Sequence, residues 1–265
     1  MNRQPIGIFD SGIGGLTVAR AIVDHLPSES LLYFGDTARV PYGTQSAATI
    51  RQYSEAISRY LIGQGCKAIV VACNTASAAA LTHLRELWPA IPFIGMEPAV
   101  KPGAQATQTG VVGVLATEGT FSSSRYAQLM ERYANTVTVI EDPCLGLVER
   151  IEKGDLQGPA TKALLQSILK PMLARGADTI VLGCTHYPFV TPLIRQIVGP
   201  AISIINPAPA VARQLKHVLE QRELQHASTL PPSYQFQISG PGERFEELAT
   251  LIMGFPVRVS FHIEL

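Results

Sequence analysis

Apolar residues in this chain fall into short uninterrupted runs separated by longer stretches of helical spacing, and the alternation repeats. Residues 6–9, 31–34, 68–72 and 93–95 are too short and too uniformly apolar for anything but buried strands. Between them, 16–25, 46–63 and 76–87 read as helices, 46–63 amphipathic. Strand and helix in turn predict a parallel sheet covered on both faces. After the proline-bearing connector EPAVKPGA the pattern restarts. Residues 113–117 repeat the apolar outline of 7–11, an offset of 106, and Cys184 stands 111 positions after Cys73. The near-equal offsets predict an α/β fold of two similar, doubly wound parallel-sheet domains related by approximate pseudo-symmetry. Helices at 145–151, 161–175 and 188–198 and a strand at 203–205 belong to the second half. The tail reads as helix 208–225, a loop HASTLPPS, strand 234–238, helix 242–253 and strand 257–263, with its docking place unspecified.

Composition narrows the function. The chain has 265 residues, 46% of them hydrophobic, with 21 basic and 21 acidic side chains. Zero formal charge and the lack of a basic tract argue against nucleic acid or a membrane surface as partner, and favour a small-molecule ligand. The opening MNRQPIGIFDSG has no signal-type apolar stretch, and no run approaches the roughly 20 residues that span a bilayer, so a cytoplasmic protein is expected. In a reducing compartment the four cysteines are expected as free thiols.

Two of those thiols close buried strands in matching contexts: AIVVACNT carries Cys73 and TIVLGCTH carries Cys184. Ligands of open α/β sheets bind at the carboxyl ends of strands. An ordinary thiol is only about 3% ionised at neutral pH, a cost of roughly 2 kcal/mol that a working site has to reduce. Asn74 and Thr75 after Cys73 are helix-capping types, which predicts a helix amino terminus facing its sulfur. His186 follows Cys184 at the second position, and Tyr187-Pro188 reads as a helix entrance. Simple burial remains the alternative, and it is the one assigned to Cys66 and Cys144. Metal binding is disfavoured because the Cys-x-His pair lacks a nearby second pair. A single nucleophile, Cys184 with His186, stays open but leaves Cys73 unused. Two thiols flanking one carbon would instead suit inversion of a stereocentre, one removing a proton and the other delivering one to the opposite face.

Other motifs are more ambiguous. DSGIGG at 10–15 follows a strand and opens a helix, but Thr17 breaks the dinucleotide fingerprint, although Asp36 superficially resembles a ribose-binding acid. The alternatives are an amino-acid site, with Asp10 at an ammonium and Ser11 near a carboxylate, and a turn needing glycine only for packing. Tyr42 and Gly43 in GDTARVPYG reach the same mouth or belong to a plain loop. Thr117 and Thr120 line the site from the second half or cap a helix begun near Ser122. His25, His83, His217, His226 and His262 are assigned solvated or structural roles.

DSGIGG, FGDTARVPYG, ACNTASA and GCTHYP, in this order and spacing, resemble the glutamate racemase family over about residues 6–211. That resemblance implies cofactor-independent interconversion of L- and D-glutamate, supplying D-glutamate for peptidoglycan, with neither pyridoxal phosphate nor metal. It implies an active site in the interdomain cleft, with Cys73 and Cys184 as acid/base residues, Asp10 assisting near Cys73 and His186 near Cys184. Substrate contacts would come from Asp10, Ser11, Tyr42, Gly43, Asn74, Thr75, Thr185 and His186, and Glu149 resembles an acidic residue near the site. The C-terminal segment would return to the first domain, giving 1–98 with 208–265 and a second domain of 99–207. A homodimer is expected. Asn206-Pro207 departs from an Asp-Ser pair of many relatives, and the few residues before Ile6 predict no activation by a cell-wall precursor. A racemase acting on aspartate and a non-catalytic amino-acid-binding protein are the rivals.

Overall fold

A computed structural model of the chain describes residues 4–226, 231–242 and 244–261. The first domain begins β1 (Ile6–Asp10), α1 (Leu16–His25), β2 (Leu31–Gly35), α2 (Ala47–Gly63), β3 (Ala68–Val71), α3 (Asn74–Leu87) and β4 (Phe93–Ile94). The second holds α4 (Val100–Ala106), β5 (Val111–Leu115), α5 (Glu118–Phe121), α6 (Ser124–Tyr133), β6 (Thr138–Asp142), α7 (Leu147–Glu152), α8 (Pro159–Ala174), β7 (Thr179–Leu182), α9 (Thr191–Val198) and β8 (Ser203–Ile205). The tail adds α10 (Ala208–Gln221), β9 (Tyr234–Ile238), α11 (Phe245–Met253) and β10 (Val259–Phe261). Among the described residues, all strand pairs are parallel.

The two sheets share one order. The first runs β10-β9-β2-β1-β3-β4 and the second β6-β5-β7-β8. Without β9 and β10, the first becomes β2-β1-β3-β4, the same order as the second when β1 to β4 are matched with β5 to β8. In both, the order reverses between the first and third strands, which is where a doubly wound sheet opens a crevice. The tail is spent on the first sheet: β9 pairs with β2, and α10 and α11 pack on α1.

Strand alternation explains the two-sided burial. Ile6, Ile8, Leu31, Tyr33, Ala68 and Val70 point into the core beneath α1, α10 and α11, while Phe9, Leu32, Phe34, Ile69 and Val71 point to the opposite face under α2 and α3. The first of these cores continues through Leu115, Ile180 and Leu182 into the second domain, so the domains share apolar packing.

Three readings of the chain needed revision. Residues 138–142 form an edge strand missed in the sequence, because only Ile140 is buried and the apolar signal is correspondingly thin. Part of the supposed connector is helical, as α4. The segment 188–198 is a short 3-10 turn, Tyr187–Val190, followed by α9, with prolines at the start of each. Residues 227–230 of the predicted loop, and 262–263 of the last predicted strand, lie outside the described residues, as does His262.

Phe245 anchors α11 against Tyr33, with ring centroids 6.1 Å apart, and is 2% exposed. Phe245→Ala is expected to cost about 3–5 kcal/mol in urea unfolding. A loss under 1 kcal/mol would mean that the tail contributes little to the first domain's core.

Candidate active site

Each strand-end motif delivers its side chains to one place. Asp10 ends β1 and is fully buried; its Oδ2 accepts the Gly15 N–H at 2.6 Å and the Thr185 hydroxyl at 3.5 Å. Its Oδ1 is buried with no hydrogen-bond partner. Cys73 is the N-cap of α3, where its Sγ accepts the Ala76 N–H at 3.5 Å, so the predicted helix amino terminus does face the sulfur. The next side chain, Asn74, has both amide atoms buried and unpartnered. From the second domain, Cys184 Sγ lies 3.7 Å from His186 Nδ1, and His186 Nε2 lies 2.6 Å from Glu152 Oε1.

Cys73 and Cys184 line a single cavity together with Ser11, Tyr42, Gly43, Asn74, Thr75, Thr117, Thr185 and His186. Thr120 stands behind it, its hydroxyl 3.1 Å from that of Thr117 and 3.5 Å from that of Thr75. The Thr75 and Thr117 hydroxyls, 2.9 Å apart, join the domains directly. Glu149 is set apart from Cys73 and Cys184, along three outer cavities of about 40, 300 and 410 Å³. The acidic group that meets His186 is Glu152, one turn further along α7, which the sequence reading did not single out. Cys66 packs against Gly7, away from the site, and burial pushes its thiol up to about 12. Cys144 lies beside the outer mouth, and its thiol donates to the Asp142 carbonyl at 3.5 Å.

Two of the three glycines in the turn are required by the other domain, and the third, Gly15, by Asp10 and Tyr33 of its own. A Cβ on Gly12 would sit 1.9 Å from Glu152 Oε1, and one on Gly14 would sit 2.4 Å from His186 Nδ1. The Ile13 N–H donates to the same Glu152 oxygen at 2.9 Å, and Tyr33 donates its phenol to the Gly12 carbonyl at 2.6 Å. Side chains of the second domain fill the space that a dinucleotide phosphate would need. The turn is an interdomain seat.

Burial sets the electrostatics. It pushes the Cys73 thiol well up, the nearby Asp10 charge adds to the effect, and the Ala76 N–H offsets part of it. Asp10 is raised by burial as well, against the opposing pull of His186 and the Gly15 and Ser11 amides. For His186, burial alone favours the neutral ring, but hydrogen bonds to Cys184 and Glu152 outweigh it and raise the imidazole well above its usual range. The cavity itself measures about 20 Å³, enough for roughly one water and too small for an amino acid. Among the described residues, no three His, Cys, Asp or Glu side chains gather as a metal-ligand set, and no helix is long and apolar enough to cross a membrane.

A fold of paired doubly wound domains, with two thiols facing one interdomain cavity, invites comparison with known proteins. The Asp/Glu/Hydantoin racemase family matches residues 10–215. A glutamate racemase of Ectopseudomonas mendocina is 51% identical over 259 residues, covering 97% of this chain and 98% of that one. The crystal structure of glutamate racemase isoform RacE1 from Bacillus anthracis superposes with a TM-score of 0.89 at 32% identity, covering 100% of this chain and 99% of its own. Escherichia coli glutamate racemase, solved with L-glutamate and the activator UDP-MurNAc-ala, gives 0.86 at 30% identity, with 98% of each chain covered. The chain belongs to the aspartate/glutamate racemase family and is an isomerase.

Replacing Glu152 by Gln removes the charge that holds the His186 proton while leaving an oxygen for the Ile13 N–H. A raised folded value means that the protonated ring stabilises the fold fully below its unfolded value of about 6.5, and that this contribution fades as pH climbs through the folded value. Glu152→Gln should lower the His186 midpoint in an NMR titration and end the stabilised window at lower pH. An unchanged midpoint would show that Glu152 does not govern the imidazole.

Proposed function

We propose that the protein interconverts L- and D-glutamate by a two-base mechanism at Cα, without a cofactor, using Cys73 and Cys184. The observation that carries this reading is the pair of thiols lining one cavity, each contributed by the third strand of its own domain. The names of the relatives support glutamate as the substrate.

The unpartnered atoms suggest how an amino acid would sit. Asp10 Oδ1 is an open acceptor suited to the substrate ammonium, and Asn74 Nδ2 is an open donor suited to a carboxylate at the amino terminus of α3. Donors on the α-carboxylate draw charge onto its oxygens as Cα loses its proton. Burial and the Asp10 charge keep the Cys73 thiol protonated, and an ammonium beside Asp10 relieves that field so that the thiol gives its proton up more readily. Cys73 therefore starts as the acid when Cys184 removes the Cα proton, and His186 holds or moves the proton at Cys184. Glu152 is a positioning residue that fixes the imidazole from behind. In the reverse direction the thiols exchange tasks. Ser11, Tyr42, Gly43, Thr75, Thr117, Thr120 and Thr185 shape the cavity around the substrate.

The product of such a reaction would serve peptidoglycan synthesis in the cytoplasm, by an enzyme working as a homodimer. We assign 1–98 and 208–265 to one moving body and 99–207 to the other, so that opening the cleft admits glutamate.

Cys73→Ala and Cys184→Ala should each lower racemisation at least a thousandfold, measured by circular dichroism from either enantiomer, while binding of glutamate persists. Racemisation within tenfold of wild type in either variant would remove the two-thiol mechanism. Wild-type binding without inversion would instead favour an amino-acid-binding protein. A higher kcat/KM for aspartate than for glutamate would reassign the substrate.

A further inference from the structure

Asp36, which the sequence offers as a ribose-binding acid, has a different employment. It follows β2, is fully buried, and does not line the thiol cavity. Its Oδ2 accepts the Tyr42 phenol at 2.5 Å and its Oδ1 accepts the Ser239 hydroxyl at 2.6 Å, while Arg39 Nη1 lies 3.3 Å from both oxygens. A carboxylate so occupied cannot trade protons with a substrate. It is a brace.

Ser239 gives that brace its far anchor. It follows β9, whose Ile238 pairs with Gly35 of β2, so the tail delivers a hydroxyl to a loop 203 positions earlier. The same oxygen accepts the Ala38 N–H at 3.1 Å, and the Gly240 N–H donates to Thr37 Oγ1 at 3.1 Å. A Cβ on Gly240 would lie 2.8 Å from the Ala38 Cα, so loop and tail meet backbone to backbone. The loop from Thr37 to Pro41 has no regular structure of its own and ends in a single 3-10 turn, Tyr42–Thr44. Tyr42 and Gly43 at that turn line the cavity.

We propose that Ser239 is a positioning residue: through Asp36 it holds the Tyr42–Gly43 loop in its substrate-binding shape, and it governs affinity for glutamate rather than the rate of proton transfer. The inference rests on the racemase reading above. It extends the machinery to a C-terminal segment that touches no substrate.

Ser239→Ala should raise the KM for glutamate about tenfold with kcat within about twofold, the effect of losing one hydrogen bond to a charged group. Ser239→Thr, which keeps the hydroxyl, should return KM to within about threefold of wild type. Because the path runs through Asp36 to the phenol, Ser239→Ala combined with Tyr42→Phe should be no worse than the worse single change. Amide exchange measured without substrate should accelerate in residues 37–44 of Ser239→Ala and stay unchanged in the second domain. An unchanged KM, additive effects in the double variant, or acceleration spread evenly over the chain would each overturn the proposal. Should the wild type fail to racemise glutamate, the racemase reading falls, and the exchange pattern alone decides whether Ser239 braces the loop.

Discussion

The close seating of the second domain on the glycine turn after β1 is the constraint on which the site depends. Interiors packed at crystal-like density cannot absorb a methyl group without movement. At Gly12 and Gly14 that methyl would meet Glu152 and His186 far inside contact distance. Either methyl would force the Glu152 carboxylate or the His186 ring to move, on the side where Cys73 and Cys184 share a cavity. The turn also ends on Gly15, whose amide fills Asp10 Oδ2 and leaves the other oxygen unpartnered. One stretch of backbone thus sets both the interdomain approach and the direction in which the buried carboxylate is available.

That closure has an electrostatic consequence. A dry site raises the cost of charge, and it does so unequally on the two sides. Cys73 shares its side with a carboxylate and a helix amino terminus, and the carboxylate and burial prevail. His186, held between Cys184 and Glu152, is raised well above the usual imidazole range despite burial. Two chemically identical side chains therefore stand in different surroundings before any substrate arrives. At about 20 Å³ the cavity between them holds little more than one water.

Much of this is legible in the sequence because it is local. Uniformly apolar strands, cysteines at their ends and helix-capping residues after them all act within a few positions, and the fold follows from them. Gly12 and Gly14 in DSGIGG announce a close approach without saying of what, since Glu152 and His186 lie 140 and 172 positions away. Glu149 and Glu152 sit three apart on one short helix, near enough in direction that only tertiary packing decides which reaches His186. Asp36 and Ser239 pair across 203 positions, and although FGDTARVPYG holds the first, no motif marks the second. The edge strand β6 escaped notice for the opposite reason, being half exposed and so weakly patterned.

Two-base inversion is tested most directly by where solvent hydrogen goes during the first few per cent of reaction. With protiated glutamate of one hand in deuterium oxide, mass spectrometry of the separated enantiomers should find deuterium at Cα in the product and almost none in the remaining substrate. On the proposed mechanism, one thiol withdraws the original proton while the other, already equilibrated with solvent, supplies its replacement. Product that retains the original hydrogen, or label appearing equally in both enantiomers from the outset, would contradict a site built on two thiols facing one carbon.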